Sequence, residues 1–298
     1  MKDKDDSSSI LILGHGSHPV LGSLYQQLME RGKRRVVFIS LESFPQDVSL
    51  SYHQLPDGLE GRIGLLEEEP IEFADLVSVV LDDYQIVSPA EGLSEEDFEY
   101  RNTESWAALR GLFQCLSEQT LVVNHLPEKE HFDSRIGELS LLDSYGLRVP
   151  RLMVTNEPDR ARQFFEEVGQ VMYRPVQGKD MPFSKMAAED LERLEELRLS
   201  PVHFEEVPQG RLASVVKVGD SLYLNPRELE LPSEIEQGFR RLSEEQGLQL
   251  AEIRLCQSAE ESPWMVLGLS PFLTEAGLED PEATEAVLRM LEFGETNV

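Results

Sequence analysis

Short apolar runs alternate along the chain with stretches of helical period. Ile10–Leu13 is a run of strand length, followed by Gly14-His15-Gly16-Ser17 and then by Val20, Leu21, Leu24 and Leu28 on one helical face, with Gly32 as the stop. Val36–Ile39 is the next strand, so the opening reads as the β-loop-α-β start of a parallel sheet. The texture then changes. Val48–Tyr52 alternates, Pro56-Asp57-Gly58 turns, and Gly61–Leu65 alternates again, as in an antiparallel hairpin. Leu76–Leu81 reads as a buried strand, and Ser94 with three acids behind it caps a long helix through Trp106, Leu109, Phe113 and Leu116.

The pattern continues with a strand at Thr120–Asn124, a helix near Ser134–Tyr145, a strand at Val149–Thr155 and a helix carrying Ala161, Phe164 and Val168 inward. A strand at Val171–Pro175 is followed by a polar loop and an amphipathic helix over 188–197. The last third alternates strand and helix, with Gly219-Asp220 as a hairpin turn and a closing helix that starts at Asp280-Pro281. This order predicts an α/β fold that becomes α+β in the C-terminal part.

Composition changes the picture mainly through charge. Twenty-seven basic residues against 56 acidic ones give a net charge of −29, and phosphate binding needs concentrated cations, so a nucleic-acid partner and an anionic membrane surface are both disfavoured. No apolar run approaches the roughly 20 residues of a membrane span. Residues 1–9 form a polar tail without the apolar core of a signal peptide, so a cytoplasmic location is expected. The two cysteines, Cys115 and Cys256, are far apart and are expected to be buried core thiols rather than zinc ligands.

Several phrases, taken in order, carry a resemblance. Gly146-Leu-Arg-Val-Pro-Arg-Leu-Met-Val-Thr-Asn-Glu-Pro-Asp-Arg-Ala-Arg162 resembles the "GLPVP…LVTNDPEAAR" stretch of ATP-grasp ligases. Val171–Gly178 resembles their "VVYKPLSG" strand and phosphate loop, Pro201–Pro208 their "FQEYVP" adenine hinge, and Val216–Asp220 their "VVGD" hairpin. The chain thus resembles the ATP-grasp superfamily, in the branch of RimK-like ligases and graspetide (microviridin-type) maturases. The resemblance implies a pre-ATP-grasp α/β domain over 10–119 after the 1–9 tail. A shortened two-subdomain ATP-grasp fold would follow, with a central part over 120–199 and a C-terminal part over 200–298.

In such ligases ATP phosphorylates a substrate carboxylate, and an amine attacks the acylphosphate. Two magnesium ions neutralise the triphosphate, held by an Asp on one C-terminal strand and a Glu-x-Asn on the next. On this resemblance the Asp position is Arg254, the Glu position Gly268 and the Asn position Ser270, so the metal ligands are lost. Glu252, two residues from Arg254, shares its strand face and is the one carboxylate nearby. The resemblance implies that the family's lysines stand here as Arg135 and Arg174, and that its arginine near Ser214 is missing. Arg135, Arg174, Lys179, Glu205 and Glu206 are the residues expected to line a relict nucleotide or anion pocket.

The favoured expectation is a non-catalytic homologue with a protein or peptide partner, no bound metal, at most weak binding of ATP or another anion, and a homodimeric state. The alternative is an active ATP-dependent carboxylate-amine ligase with a diverged site. A third reading rests on Leu11–Ser17, which resembles the "VGHGS" strand of sirohydrochlorin-type chelatases and would make His15, with His18 close by, a metal or small-molecule site. His125 and His131 are expected to be structural or exposed.

Overall fold

The computed structural model describes residues 8–56, 58–66, 68–81, 92–116, 120–124, 134–177 and 182–296. Strands β1 (Ser9–Gly14) and β2 (Arg35–Ser40) enclose helix α1 (Pro19–Arg31). The His18 ring accepts a hydrogen bond from the Leu21 N–H, Pro19 occupies the first turn, and Gly32 at φ 61° closes the helix in the left-handed region. A hairpin of β3 (Val48–Leu55) and β4 (Gly58–Leu65), extended by β5 (Ile71–Glu72), precedes β6 (Leu76–Leu81), helix α2 (Glu95–Leu116) and β7 (Leu121–Val123). The first sheet runs β2-β1-β6-β7, all parallel.

Both faces of that sheet are covered, which is why β1 is apolar throughout. Leu11 and Leu13 face α2 and the hairpin. Ile10 and Ile12 face α1 and a helix from the far end of the chain, α8 (Pro281–Phe293). Asp280 caps α8 through the Glu282 and Ala283 N–H groups, and the Ser78 hydroxyl on β6 donates to the Leu291 carbonyl at 2.8 Å. Each large aliphatic side chain buried there contributes about 1.5–3 kcal/mol. The last helix therefore belongs to the core of the first sheet.

Helix α3 (Arg135–Ser144) leads to the central sheet, built from β8 (Leu152–Thr155), β9 (Val171–Pro175), β10 (Ser184–Lys185) and β11 (Val202–Glu206) in the antiparallel order β10-β9-β11-β8. Helix α4 (Pro158–Val168) and the short α5 (Ala188–Glu192) pack around it. The C-terminal sheet holds β12 (Arg211–Val218), β13 (Ser221–Asn225), β14 (Leu250–Gln257) and β15 (Met265–Ser270) in the antiparallel order β13-β12-β14-β15. Helix α6 (Ser233–Glu245) covers one face with Phe239 and Leu242 and is joined there by Leu139 and Leu142 of α3. Residues 226–232 lead from β13 to α6 without a strand. Helix α7 (Glu275–Leu278) precedes α8.

Asn124 locks the first and third sheets together. Its amide nitrogen donates to the carbonyls of Leu250 and Pro271, and its oxygen accepts from the Gln249 and Leu250 N–H groups at 2.9 and 3.0 Å. All of its hydrogen-bonding capacity on those atoms is used.

Strand pairing crosses positions 119/120 and 199/200: β7 pairs with β6, and β11 sits inside the central sheet. Two expectations need correction. Cys115 is exposed while Cys256 is buried. The stripe of Leu109, Leu112, Phe113 and Leu116 fixes the inner face of α2, and position 115 turns away from it. The helix expected over 188–197 stops at Glu192 and gives way to a 3-10 turn over Leu194–Leu199. Leu194 and Leu197, three residues apart, align on one face in that tighter geometry and both are buried. No helix among the described residues is long and apolar enough to cross a membrane.

Candidate functional site

A cleft of about 550 Å³ opens between the central and C-terminal sheets. Five elements reach it: α3 through Arg135 and Glu138, β9 through Arg174, β11 through Glu205, β14 through Glu252 and Arg254, and β15 through Gly268 and Ser270. Strand alternation explains the β14 pair, because residues two apart point to the same face. Across β14 and β15 the register sets Glu252 against Ser270 and Arg254 against Gly268. On the other side of β14, Ser214 of β12 is the register partner of Arg254. The positions at which metal ligands are expected lost are therefore contiguous on one wall.

Four of the five Arg135 N–H donors are engaged. Its Nε donates to Glu205 Oε2 at 3.0 Å and its Nη2 to Glu205 Oε1 at 2.7 Å. Nη1 donates to Glu138 Oε1 at 3.1 Å, and Nη2 also to the Leu267 carbonyl at 2.6 Å. Burial works against the charged guanidinium, but the bonds to Glu205 and the charge of Glu138 hold its pKa above the ordinary value. Burial alone would raise the Glu205 carboxyl, yet the hydrogen bonds from His203 and Arg135 hold it below the usual range. His203 Nε2 lies 3.1 Å from Glu205 Oε2.

The same pair fills the space beside Gly268. A Cβ there would meet Glu138 Oε1 at 2.9 Å and Arg135 Nη1 at 3.0 Å. Glu138 Oε1 is further fixed by the Leu269 N–H at 2.7 Å. A side chain at position 268 would have to displace the ends of Glu138 and Arg135 from their salt bridge.

Glu252 is 1% exposed. Its Oε2 accepts from the Thr274 N–H at 2.9 Å and the Thr274 hydroxyl at 2.8 Å, while its Oε1 has no hydrogen-bond partner among the described residues. Arg254 beside it is exposed to the cleft. Arg174, nearly buried, stacks on the Phe183 ring at 4.2 Å.

Glu206 lies outside this group. It follows Glu205 on β11 and so points to the opposite side, where it pairs with Arg151 at 3.1 Å. There it lines a separate recess of about 380 Å³ with Arg148 and Cys256. Lys179 and Gly178 lie outside the described residues, as do His125 and His131. His15 lies 3.3 Å from Glu42, and His18 caps α1. Among the described residues no group of three or more His, Cys, Asp or Glu is placed to hold a metal.

Sequence reasoning missed Glu138, His203 and Thr274. The first two carry a local signal, since Glu138 is three residues from Arg135 on one helix face and His203 two from Glu205 on one strand face. Thr274 carries none.

Magnesium-ATP does not fit the described residues. Magnesium takes oxygen ligands in near-octahedral geometry. Among the described residues the wall offers one carboxylate outside the Arg135 salt bridges, Glu252, already bonded through one oxygen, with a guanidinium as its neighbour. Glu205 and Glu138 are both salt-bridged to Arg135.

No protein-family model and no curated protein matches the sequence. Solved structures do match. The macrocyclase MdnC of Microcystis aeruginosa MRC, bound with precursor peptide MdnA, superposes with a TM-score of 0.77 at 18% identity, over 95% of this chain and 99% of that one. A RiPP-associated ATP-grasp ligase of Chryseobacterium gregarium, in complex with ADP and a leader and core peptide, gives 0.75 at 16% identity, over 95% and 96%. The ATP-grasp ligase PsnB, complexed with a phosphomimetic variant of its minimal precursor, gives 0.73 at 22% identity, over 96% and 99%. The chain therefore has the ATP-grasp fold seen in these structures.

Proposed function

We propose that this chain is a non-catalytic ATP-grasp homologue that acts by binding a protein or peptide partner in a ligase or peptide-modification system. One observation carries the reading: Arg254 and Gly268 are neighbours on the cleft wall, and the Arg135–Glu138 pair occupies the space a ligand at 268 would need. A phosphoryl-transfer site has to neutralise several negative charges at once. Here Arg135, which would face phosphate, is turned inward onto two carboxylates. A peptide partner is supported by the solved neighbours, whose structures hold precursor, leader or core peptides.

Calorimetric titration of the whole chain with ATP, with and without magnesium, tests the reading. Absence of magnesium-dependent binding is expected. Tight, magnesium-dependent binding, together with ADP release on adding carboxylate and amine candidates, would overturn it in favour of an active carboxylate-amine ligase.

A further inference from the structure

We propose that the recess on the far side of β11 from the cleft captures the C-terminal end of a peptide, with the terminal carboxylate on Arg148. The inference rests on the reading that this chain binds a peptide partner, and goes beyond it by giving that partner a place and a chemistry.

The recess is built where the central and C-terminal sheets meet. The turn between α4 and β9 supplies Val168 and Gln170, Gln209 follows β11, and the strands β14 and β15 supply Cys256 and Met265. Two backbone hydrogen bonds fix its sides. The Val207 N–H donates to the Gln170 carbonyl at 2.9 Å, and the Val266 N–H to the Arg148 carbonyl at 2.7 Å.

Charge sets the sign of the ligand. Two charged side chains line the recess, Glu206 and Arg148. The hydrogen bonds of the Glu206 carboxylate go to Arg151, the closest at 3.1 Å. Burial alone would raise the Glu206 carboxyl, yet those bonds, with the charges of Arg151 and Arg148, hold it below the usual range. The Arg148 guanidinium therefore lies on the side of Glu206, in the wall they share. It has no hydrogen bond or ion pair of its own among the described residues, so its five donors are open. Arg148 and Arg151 against Glu206 leave one positive charge, in a chain whose net charge is −29. A ligand with a single negative charge matches it, and a planar carboxylate takes two parallel bonds from one guanidinium.

The neutral lining supplies the rest of the description. Gln170 and Gln209 each carry an amide that both donates and accepts, as a peptide group does. Neither side chain has a hydrogen bond among the described residues. Val168, Cys256 and Met265 offer an apolar surface to one side chain. An inorganic anion would use the cation alone and leave this lining unmatched. A recess of about 380 Å³ has room for a terminal residue and the peptide group before it.

The test is calorimetric titration of the full chain with N-acetyl-L-alanyl-L-alanyl-L-leucine, with its C-terminal amide, and with isovalerate, a carboxylate without a peptide group. The free-acid peptide is expected to bind, and the amide to bind about tenfold or more weakly. Arg148→Gln should remove that preference. The side chain is exposed, so the variant should melt with the wild type. Thiol alkylation reads the location in the same molecule. Bound peptide should slow alkylation of Cys256, in the recess, and leave that of Cys115, exposed on α2, unchanged. No heat from the acid, equal binding of acid and amide, isovalerate binding as tightly as the peptide, or equal protection of both cysteines overturns the proposal. Peptide binding that ignores the terminal carboxylate removes the recess and leaves the peptide partner standing. Magnesium-dependent binding of ATP, titrated into the same sample, overturns the non-catalytic reading whatever the peptides do.

Discussion

Arg135 holds Glu205 through two parallel hydrogen bonds, at 3.0 and 2.7 Å, joining α3 to β11 across 70 residues of chain. Such a bidentate pair is geometrically specific and fixes the angle between helix and sheet. It also decides the chemistry of the cleft, because a guanidinium bound on both forks has no free edge to offer a phosphate.

Breaking this pair should be costly. Removing one partner of a buried salt bridge typically destabilises by about 3–5 kcal/mol, so Glu205→Gln should lose on the order of 3 kcal/mol in urea unfolding at neutral pH. The acid limb should change as well. The folded-state pKa of Glu205 lies below its ordinary value, so near pH 4 the unfolded chain binds more protons at this group. Its contribution is complete above about 4.3, the unfolded value, and is lost as pH falls through the lower folded value. The variant should show a shallower loss of stability with acid than the wild type. An unchanged midpoint and an unchanged acid limb would mean that the pair is not formed in solution.

Gly268 should not tolerate a side chain. The Cβ of Gly268→Ala meets two charged groups at 2.9 and 3.0 Å, both already fixed by other bonds. Overpacking of this kind costs about 1–3 kcal/mol. Urea unfolding of Gly268→Ala measures it, with Arg254→Ala as an exposed control expected to move little. A neutral Gly268→Ala would show that Arg135 and Glu138 yield, which would reopen the position to a metal ligand.

Thr274 should matter more than its place at the start of a short helix suggests. Among the described residues its hydroxyl and N–H are the two donors on Glu252 Oε2, and Glu252 Oε1 has none. Thr274→Val keeps the shape and removes the hydroxyl, at an expected cost of about 1.5–3 kcal/mol for a hydrogen bond to a charged group. Thr274→Ser should retain most of the stability. If Val and Ser variants melt alike, the hydroxyl does not hold the carboxylate.

Local periodicity makes much of the fold readable, since the apolar run of β1, the stripe of α2 and the capped ends of α8 all have short-range signatures. Which surfaces those elements cover is not readable. The pattern of α8 marks a helix with a buried face, but nothing local says that this face lies on β6 at the other end of the chain. The cleft divides in the same way. Alternation along β14 is enough to put Glu252 and Arg254 on one face. The same rule separates Glu205 from Glu206, yet the resemblance of the hinge groups them. The partner of Arg135 lies 70 residues away and has no sequence signal, so its charge reads as available when it is spent.

Lys217 gives a prediction outside the cleft. It is 5% exposed on β12, and its Nζ donates to the Leu248 carbonyl at 3.0 Å. Burial pushes its pKa down, and the nearby Asp220 and Glu244 only partly offset that. A lysine whose folded pKa is depressed binds fewer protons folded than unfolded between that value and about 10.4. Stability should therefore rise with pH through this window as the unfavourable buried charge is discharged. Lys217→Met keeps the length of the side chain and removes the charge, so it should be at least as stable as the wild type at neutral pH. The gap between the two should narrow toward alkaline pH. Urea unfolding of both proteins across that range is the measurement. A gap that widens with pH, or a methionine variant markedly less stable at neutral pH, would show that the bond to Leu248 outweighs the burial of the charge.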